Sequence, residues 1–137
     1  MTAIFIDTSA FLAISSEKDG YHREAVEFLQ SIMGGKRFTR LITSDYVIDE
    51  TITRIRFAVG HSAALGWIKN VRASTALEVL RVDEGVFDSG IELFEKYSDK
   101  SLSFTDCTSF ALMEKKKIAA AFTFDADFEK AGFVKYP

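Results

Sequence analysis

The chain holds one cysteine, Cys107, one proline and eight glycines in 137 residues. A single thiol cannot close an internal disulfide, so no covalent bridge supports the fold, and this usage suits a reducing compartment. The scarcity of proline and glycine, with 47% hydrophobic and 27% charged residues, excludes a disordered tail or low-complexity linker. No apolar run reaches the roughly 18 residues of a membrane span. The N-terminal residues lack the basic segment and long apolar stretch of a secretory signal, so a cytoplasmic location without membrane association is expected. Positive charge is also scarce: 17 Lys and Arg face 20 Asp and Glu, for a net charge of -3, and the pI is near 5.4. A nucleic-acid binder normally spreads a basic surface over phosphates, so any such contact here must be local. There is no internal repeat, and the length, 1–137, is that of one domain able to bury its own core.

What is present alternates between strand and helix signals. Thr2–Ile6 is short and apolar and runs into Asp7-Thr8-Ser9, which predicts a buried strand followed by a helix capped by Thr8 or Ser9. A helix is predicted from about Tyr21 to Met33, with Ala25, Phe28, Leu29 and Ile32 on one face and Gly34-Gly35 ending it. Phe38–Thr43 reads as a second strand. Asp45–Val59 carries Ile48, Ile52, Ile55 and Val59 at helical spacing and stops at Gly60, and Ser62–Val71 reads as its antiparallel partner in a helical hairpin. Leu77–Val82 is a predicted strand, Val86–Tyr97 and Thr105–Lys116 are predicted helices, and Ala119–Phe124 is a predicted strand ending at Asp125. The expected fold class is α/β, with a mostly parallel sheet covered on both faces.

Ligands of open α/β sheets collect beyond the carboxyl ends of the strands, where Asp7 and Asp125 fall. Each has an ordinary explanation alone, as a helix cap and as a turn residue in Asp125-Ala126-Asp127. Together, anions at two strand ends could face each other only if a cation or a shared proton relieved their repulsion. Asp106, in Ser-Phe-Thr-Asp-Cys, opens a helix, and Ser103 three residues earlier permits a capping box. A carboxylate in that first turn can still point into a cleft above the sheet. Glu50 lies in Val-Ile-Asp-Glu-Thr, opposite the Ile48/Ile52/Ile55 stripe and at i,i+4 spacing from Arg54. Periodicity alone does not choose between Asp49 and Glu50.

These segments, Ile-Phe-Ile-Asp-Thr-Ser-Ala-Phe, Val-Ile-Asp-Glu-Thr, Ser-Phe-Thr-Asp-Cys and Thr-Phe-Asp-Ala-Asp-Phe, resemble in their order and spacing the PIN domain family, particularly its VapC-type toxins. The resemblance runs from Ile4 to Phe133. It implies a three-layer α/β/α fold and a magnesium- or manganese-dependent ribonuclease acting on RNA, usually homodimeric and inhibited by a small antitoxin protein. By motif, Asp7, Glu50, Asp106 and Asp125 would be the catalytic acids, with Asp7, Asp106 and Asp125 on the metal. Thr8, Thr105, Thr123 and Asp127 would support them, and the last segment offers Asp127 as well as Asp125 for the fourth acid.

Carboxylates without Cys or His partners are hard ligands that suit magnesium or manganese, and His22 and His61 sit in no ligand spacing. Arg37, Arg40, Arg54, Arg56, Lys69 and Arg72 are available to position a strand, with Arg54 and Arg40 the first candidates. Trp67 can serve the core, a dimer contact or base stacking. Two rival readings exist. A phosphatase of the HAD kind also places an Asp after its first strand, but it wants a second acid two residues later, where this chain has Ser9. A non-catalytic PIN-like RNA-binding module would have lost its acids, and all four are present.

Overall fold

The computed structural model of the chain describes residues 2–98 and 101–137. β1 (Ala3–Ile6) leads into α1 (Thr8–Ser15) and α2 (His22–Ile32), and β2 (Arg40–Ser44) into α3 (Asp45–Ala58) and α4 (His61–Ala73). β3 (Leu77–Leu80) leads into α5 (Glu84–Lys96) and α6 (Phe104–Lys116), and β4 (Ala120–Phe122) into the single turn α7 (Asp127–Lys130) and β5 (Val134–Tyr136). Every described strand pairing is parallel, in the order β3-β2-β1-β4-β5. The expected sheet was mostly parallel; the one observed is wholly so.

Buried strands of such a sheet must be apolar on both faces, and Ile4, Phe5, Ile6, Ala121 and Phe122 are all buried. From β1 the chain steps outward to β2 and β3, then returns to the other side of β1 for β4 and β5. Right-handed crossovers therefore set α1 to α4 on one face and α5 and α6 on the other, giving three layers. The direction reverses between β1 and β4. That is where a crevice opens above the carboxyl edge of the sheet.

Three expectations change in detail. The cap of α1 is Asp7, not Thr8 or Ser9: Asp7 is extended and its carboxylate accepts from Ser9 N. On α3 the buried stripe is Val47, Thr51 and Ile55, while Ile48 and Ile52 are half-buried and line a depression toward Ile68 and Val71 of α4. Thr51 is tolerated in the core because its hydroxyl donates to Val47 O at 2.7 Å. The C-terminal α7 and β5 had no counterpart in the sequence reading. They are too short to show a period, and β5 has an exposed Val134.

The capping box opening α6 forms as its spacing predicts, with Ser103 Oγ accepting from Asp106 N and Asp106 Oδ2 from Ser103 N. Close approach of α5 to α6 depends on Gly90, where a Cβ would stand 3.1 Å from Thr108 Cγ2. At the core's centre Phe122 is fully buried and meets Phe28 edge-on at 4.8 Å. Replacing Phe122 with Ala removes a ring from a site that cannot collapse, and should cost about 3–5 kcal/mol. Urea unfolding followed by circular dichroism measures it; a loss below about 1 kcal/mol would contradict this placement of the core.

Candidate active site

The acids are delivered by four different elements. Asp7 follows β1, Asp125 lies just beyond β4, Glu50 is on α3 and Asp106 is in the first turn of α6. With Thr8, Ser9, Arg54, Ser101 and Ser103 they line one cleft of about 220 Å³. Asp49 is exposed and lines a different depression, on the α4 side of α3. The helical stripe explains this outcome: Glu50 shares the flank of Val47, Thr51 and Arg54, which turns toward the sheet.

Asp7 is the most constrained of the four. It is 3% exposed, and its Oδ2 accepts from Ser9 Oγ and Thr123 Oγ1, both at 2.9 Å. The two hydroxyls stand 3.2 Å apart and share the same carboxylate oxygen as acceptor. Their oxygens accept in turn: Ser9 Oγ from Phe124 N and Thr123 Oγ1 from Asp125 N, both at 3.0 Å. The backbone closes the same junction, with Asp7 N donating to Phe122 O at 3.1 Å. One network thus orients Asp7 and sets the path of the chain that carries Asp125.

Burial pushes the Asp7 carboxyl above its ordinary value, against the hydrogen bonds from Ser9 and Thr123 and from the Thr8 and Ser9 amides, which lower it. Asp106 is raised to about 7, first by burial, then by the negative charge of Asp7, and further by Asp125 and Glu50; only the Ser103 amide opposes this. The four acids therefore share one field. Cys107, beside Asp106, is buried, and burial raises its thiol pKa, so it stays an unreactive packing residue.

The remaining candidates divide between the site and other places. Thr123 belongs to the network just described, and Arg54 lines the cleft. Asp127 does not line it; its amide caps back onto Asp125 Oδ1 at 2.9 Å and its carboxylate lies 3.8 Å from Lys130. Thr105 does not line it either, its carbonyl taking the hydroxyls of Thr108 and Ser109. Arg40 opens β2, at the amino edge of the sheet, and forms a bidentate pair with Glu78 at 2.7 and 3.1 Å. It is directed away from the acids because a parallel sheet puts the two ends of a strand on opposite edges. Ser9, which the sequence offers as a helix cap, belongs to the site as well, and its spacing of two residues from a strand-end Asp is the sequence signal for that role.

The donors fit a hard divalent cation by chemistry: carboxylate and hydroxyl oxygens, with no His or Cys among the described residues of the lining. Thr8 Oγ1 is buried at the cleft without a protein hydrogen-bond partner, so a polar group supplied from the cleft would satisfy it. Among the described residues no three such side chains are drawn together tightly enough to chelate as they stand. The mutual charge that raises Asp106 opposes their closing without an ion. A larger apolar cavity of about 590 Å³, bounded by Phe11, Leu29, Trp67 and Leu77, has no titratable lining residue among the described residues, so the chemistry belongs to the smaller cleft.

This sheet order, with acids gathered at the switch point, is that of a PIN domain, and the PIN domain family model matches residues 4–134. The chain belongs to the PIN domain family. The 23S rRNA-specific endonuclease VapC20 of Mycobacterium tuberculosis is 35% identical over 132 residues, 96% of each chain. The crystal structure of that VapC20, a sarcin-ricin loop cleaving toxin, superposes with a TM-score of 0.86 at 34% identity over 96% of both chains. FitAcB from Neisseria gonorrhoeae (TM-score 0.69, 13% identity, 98% of this chain and 96% of that one) is similar in fold. DNA-bound VapBC from Salmonella typhimurium (0.68, 15%, 99% and 98%) is similar in the same sense.

Asp106 supplies a test that needs no substrate. Its folded pKa of about 7 exceeds the unfolded value of 3.8, so between them the folded state holds the extra proton. Stability without metal therefore falls as pH rises through that window and levels off above it. Asp106→Asn removes the share of this dependence that Asp106 contributes, and leaves that of the raised Asp7 carboxyl. In chelator, its thermal midpoint should match wild type near pH 4 and exceed it by about 5 °C near pH 8. Equal midpoints near pH 8 would show that neither burial nor the neighbouring acids disfavour the ionised Asp106.

Proposed function

We propose that this chain is a divalent-metal-dependent endoribonuclease, the toxin of a toxin–antitoxin pair, acting on RNA phosphodiesters in the cytoplasm. The observation that carries the reading is the convergence of Asp7, Glu50, Asp106 and Asp125 on one cleft at the switch point of the sheet. The 35% identity to a 23S rRNA-specific endonuclease over 96% of the chain supports RNA as the substrate class, and makes a ribosomal RNA loop the first substrate to test. Ser9, in place of a second acid two residues after Asp7, gives no support to a phosphatase of the HAD kind.

Asp7, Asp106 and Asp125 would hold Mg2+ or Mn2+, with Glu50 completing the charge of the cleft. When bound, such an ion supplies Lewis acidity toward phosphoryl oxygens and a nucleophile at neutral pH. Ser9 and Thr123 fix the Asp7 carboxylate before substrate arrives, so little reorganisation is left to the reaction. Burial and its neighbours keep Asp106 partly protonated near neutral pH, and as a ligand it would have to give up that proton. Arg54, on the cleft wall, faces the position of a phosphate and offsets the acidity of the chain where the substrate must enter.

The toxin–antitoxin assemblies among the fold neighbours, together with the toxin VapC20, support a small antitoxin as partner. A homodimer is supported by apolar surface beyond what one core requires: Phe57 on α3 is 83% exposed, Leu65 on α4 is exposed, and Phe87, Ile91 and Phe94 form a second stripe on α5. Trp67 is not part of that surface, being half-buried and edge-on to Phe11 at 5.2 Å. Light scattering on the purified chain should give twice the monomer mass, and an active monomer at micromolar concentration would contradict the dimer.

Purified protein should cleave RNA with added Mg2+ or Mn2+ and lose activity in chelator. Asp106→Asn and Glu50→Gln should each lower kcat by about 100-fold or more. Arg54→Ala should act mainly on KM, raising it about tenfold, whereas Arg40→Ala should leave both constants within about twofold of wild type. Full cleavage by Asp106→Asn, or cleavage undiminished in chelator, would reject the assignment.

A further inference from the structure

The acid cleft does not end at the acids. Ser9, Arg54 and Asp125 also line a second depression of about 400 Å³, whose far wall is aromatic. There Tyr21 and Phe124 stack in parallel, with ring centroids 4.6 Å apart and planes 13° apart. Tyr21 is nevertheless 51% exposed, so one face of its ring meets Phe124 and the other faces solvent. A ring placed for core packing would be covered on both sides.

Local helix chemistry does not account for that ring. Tyr21 occupies the N-cap position of α2 and makes no side-chain cap, at a place where Ser, Thr, Asp or Asn would stabilise the helix. It is held instead by Asp19, whose Oδ1 accepts from Tyr21 N at 2.8 Å. Phe124 is held by the network that orients the first acid, its amide donating to Ser9 Oγ at 3.0 Å. The platform and the acids are thus tied to one rigid junction. Lys135 Nζ, 5.9 Å from the Phe124 centroid, adds a cation over that ring.

We propose that this depression is a nucleobase subsite, in which an unpaired base beside the scissile phosphate stacks on the open face of Tyr21, backed by Phe124, while Arg54 faces the phosphate between base and acids. The inference rests on the ribonuclease reading and deepens it. Stacking suits a chain of net charge -3, because a π face attracts a base without a basic surface. It also requires a single-stranded or looped RNA, since a paired base cannot present its face.

The test uses the cleavage-deficient Asp106→Asn protein and short single-stranded RNAs, each carrying one fluorescent adenine analogue, aminopurine, at a successive position. Binding should quench the analogue at one position. Adding Tyr21→Ala should abolish that quenching and weaken binding about tenfold, whereas Tyr21→Phe should retain both. Undiminished quenching in the Tyr21→Ala protein, or no quenching at any position with Tyr21 present, would overturn the subsite. Because the signal needs no cleavage, RNA that is cut without quenching defeats the subsite alone, and RNA that is quenched but never cut by the wild-type protein defeats the ribonuclease reading alone.

Discussion

The structure depends on how one buried carboxylate is held by hydrogen bonds at the end of β1. Desolvation alone would neutralise Asp7; the Ser9 and Thr123 hydroxyls and two backbone amides act against it. Those hydroxyls come from opposite sides of the β1–β4 junction, so satisfying Asp7 also joins the two strands where the sheet changes direction. Asp125 inherits its position from Thr123, whose hydroxyl accepts the Asp125 amide. Disturbing any one of these bonds would move a charge as well as a strand end.

Four acids in one cleft set a cost that the fold alone does not remove. It shows in Asp106, which retains a proton to about pH 7 because of burial and of Asp7, Asp125 and Glu50. Under the proposed metal dependence, a bound cation would relieve that repulsion and let the phosphate of a substrate approach an otherwise acidic site. Attraction for a polyanion would then be confined to the cleft. Many of its basic groups are engaged elsewhere: Arg40 on Glu78, Arg81 on Asp45, Lys115 on Asp83 and Arg37 over the Tyr136 ring.

Much of this was legible before any coordinates. Buried strands with continuous apolar runs, a Ser-x-x-Asp cap and the glycine stop after α2 announce themselves locally, because each follows from a few neighbouring residues. The helix boundaries moved by a residue or two. The stripe on α3 was misjudged because Ile48 and Ile52 lie half-buried toward α4, and Thr51, whose hydroxyl bonds within its own helix, occupies the core. The last turn and strand escaped notice because three or four residues cannot display a period.

By itself the sequence determined the α/β class and the order of its elements, and its motif order pointed to the PIN domain family and to Asp7, Glu50, Asp106 and Asp125. Those properties are local, or carried by the spacing of short motifs along one chain. Tertiary structure decided which acid of α3 turns inward, and that Asp125 rather than Asp127 lines the cleft. It also separated Arg54 from Arg40, which stand at opposite ends of the sheet. Only folding could bring Ser9 to Thr123 and Tyr21 to Phe124, pairs more than 100 residues apart in sequence. The physical reason is that burial, charge repulsion and ring stacking depend on distance in space, and a chain position says nothing about that distance until the sheet has set its strand order.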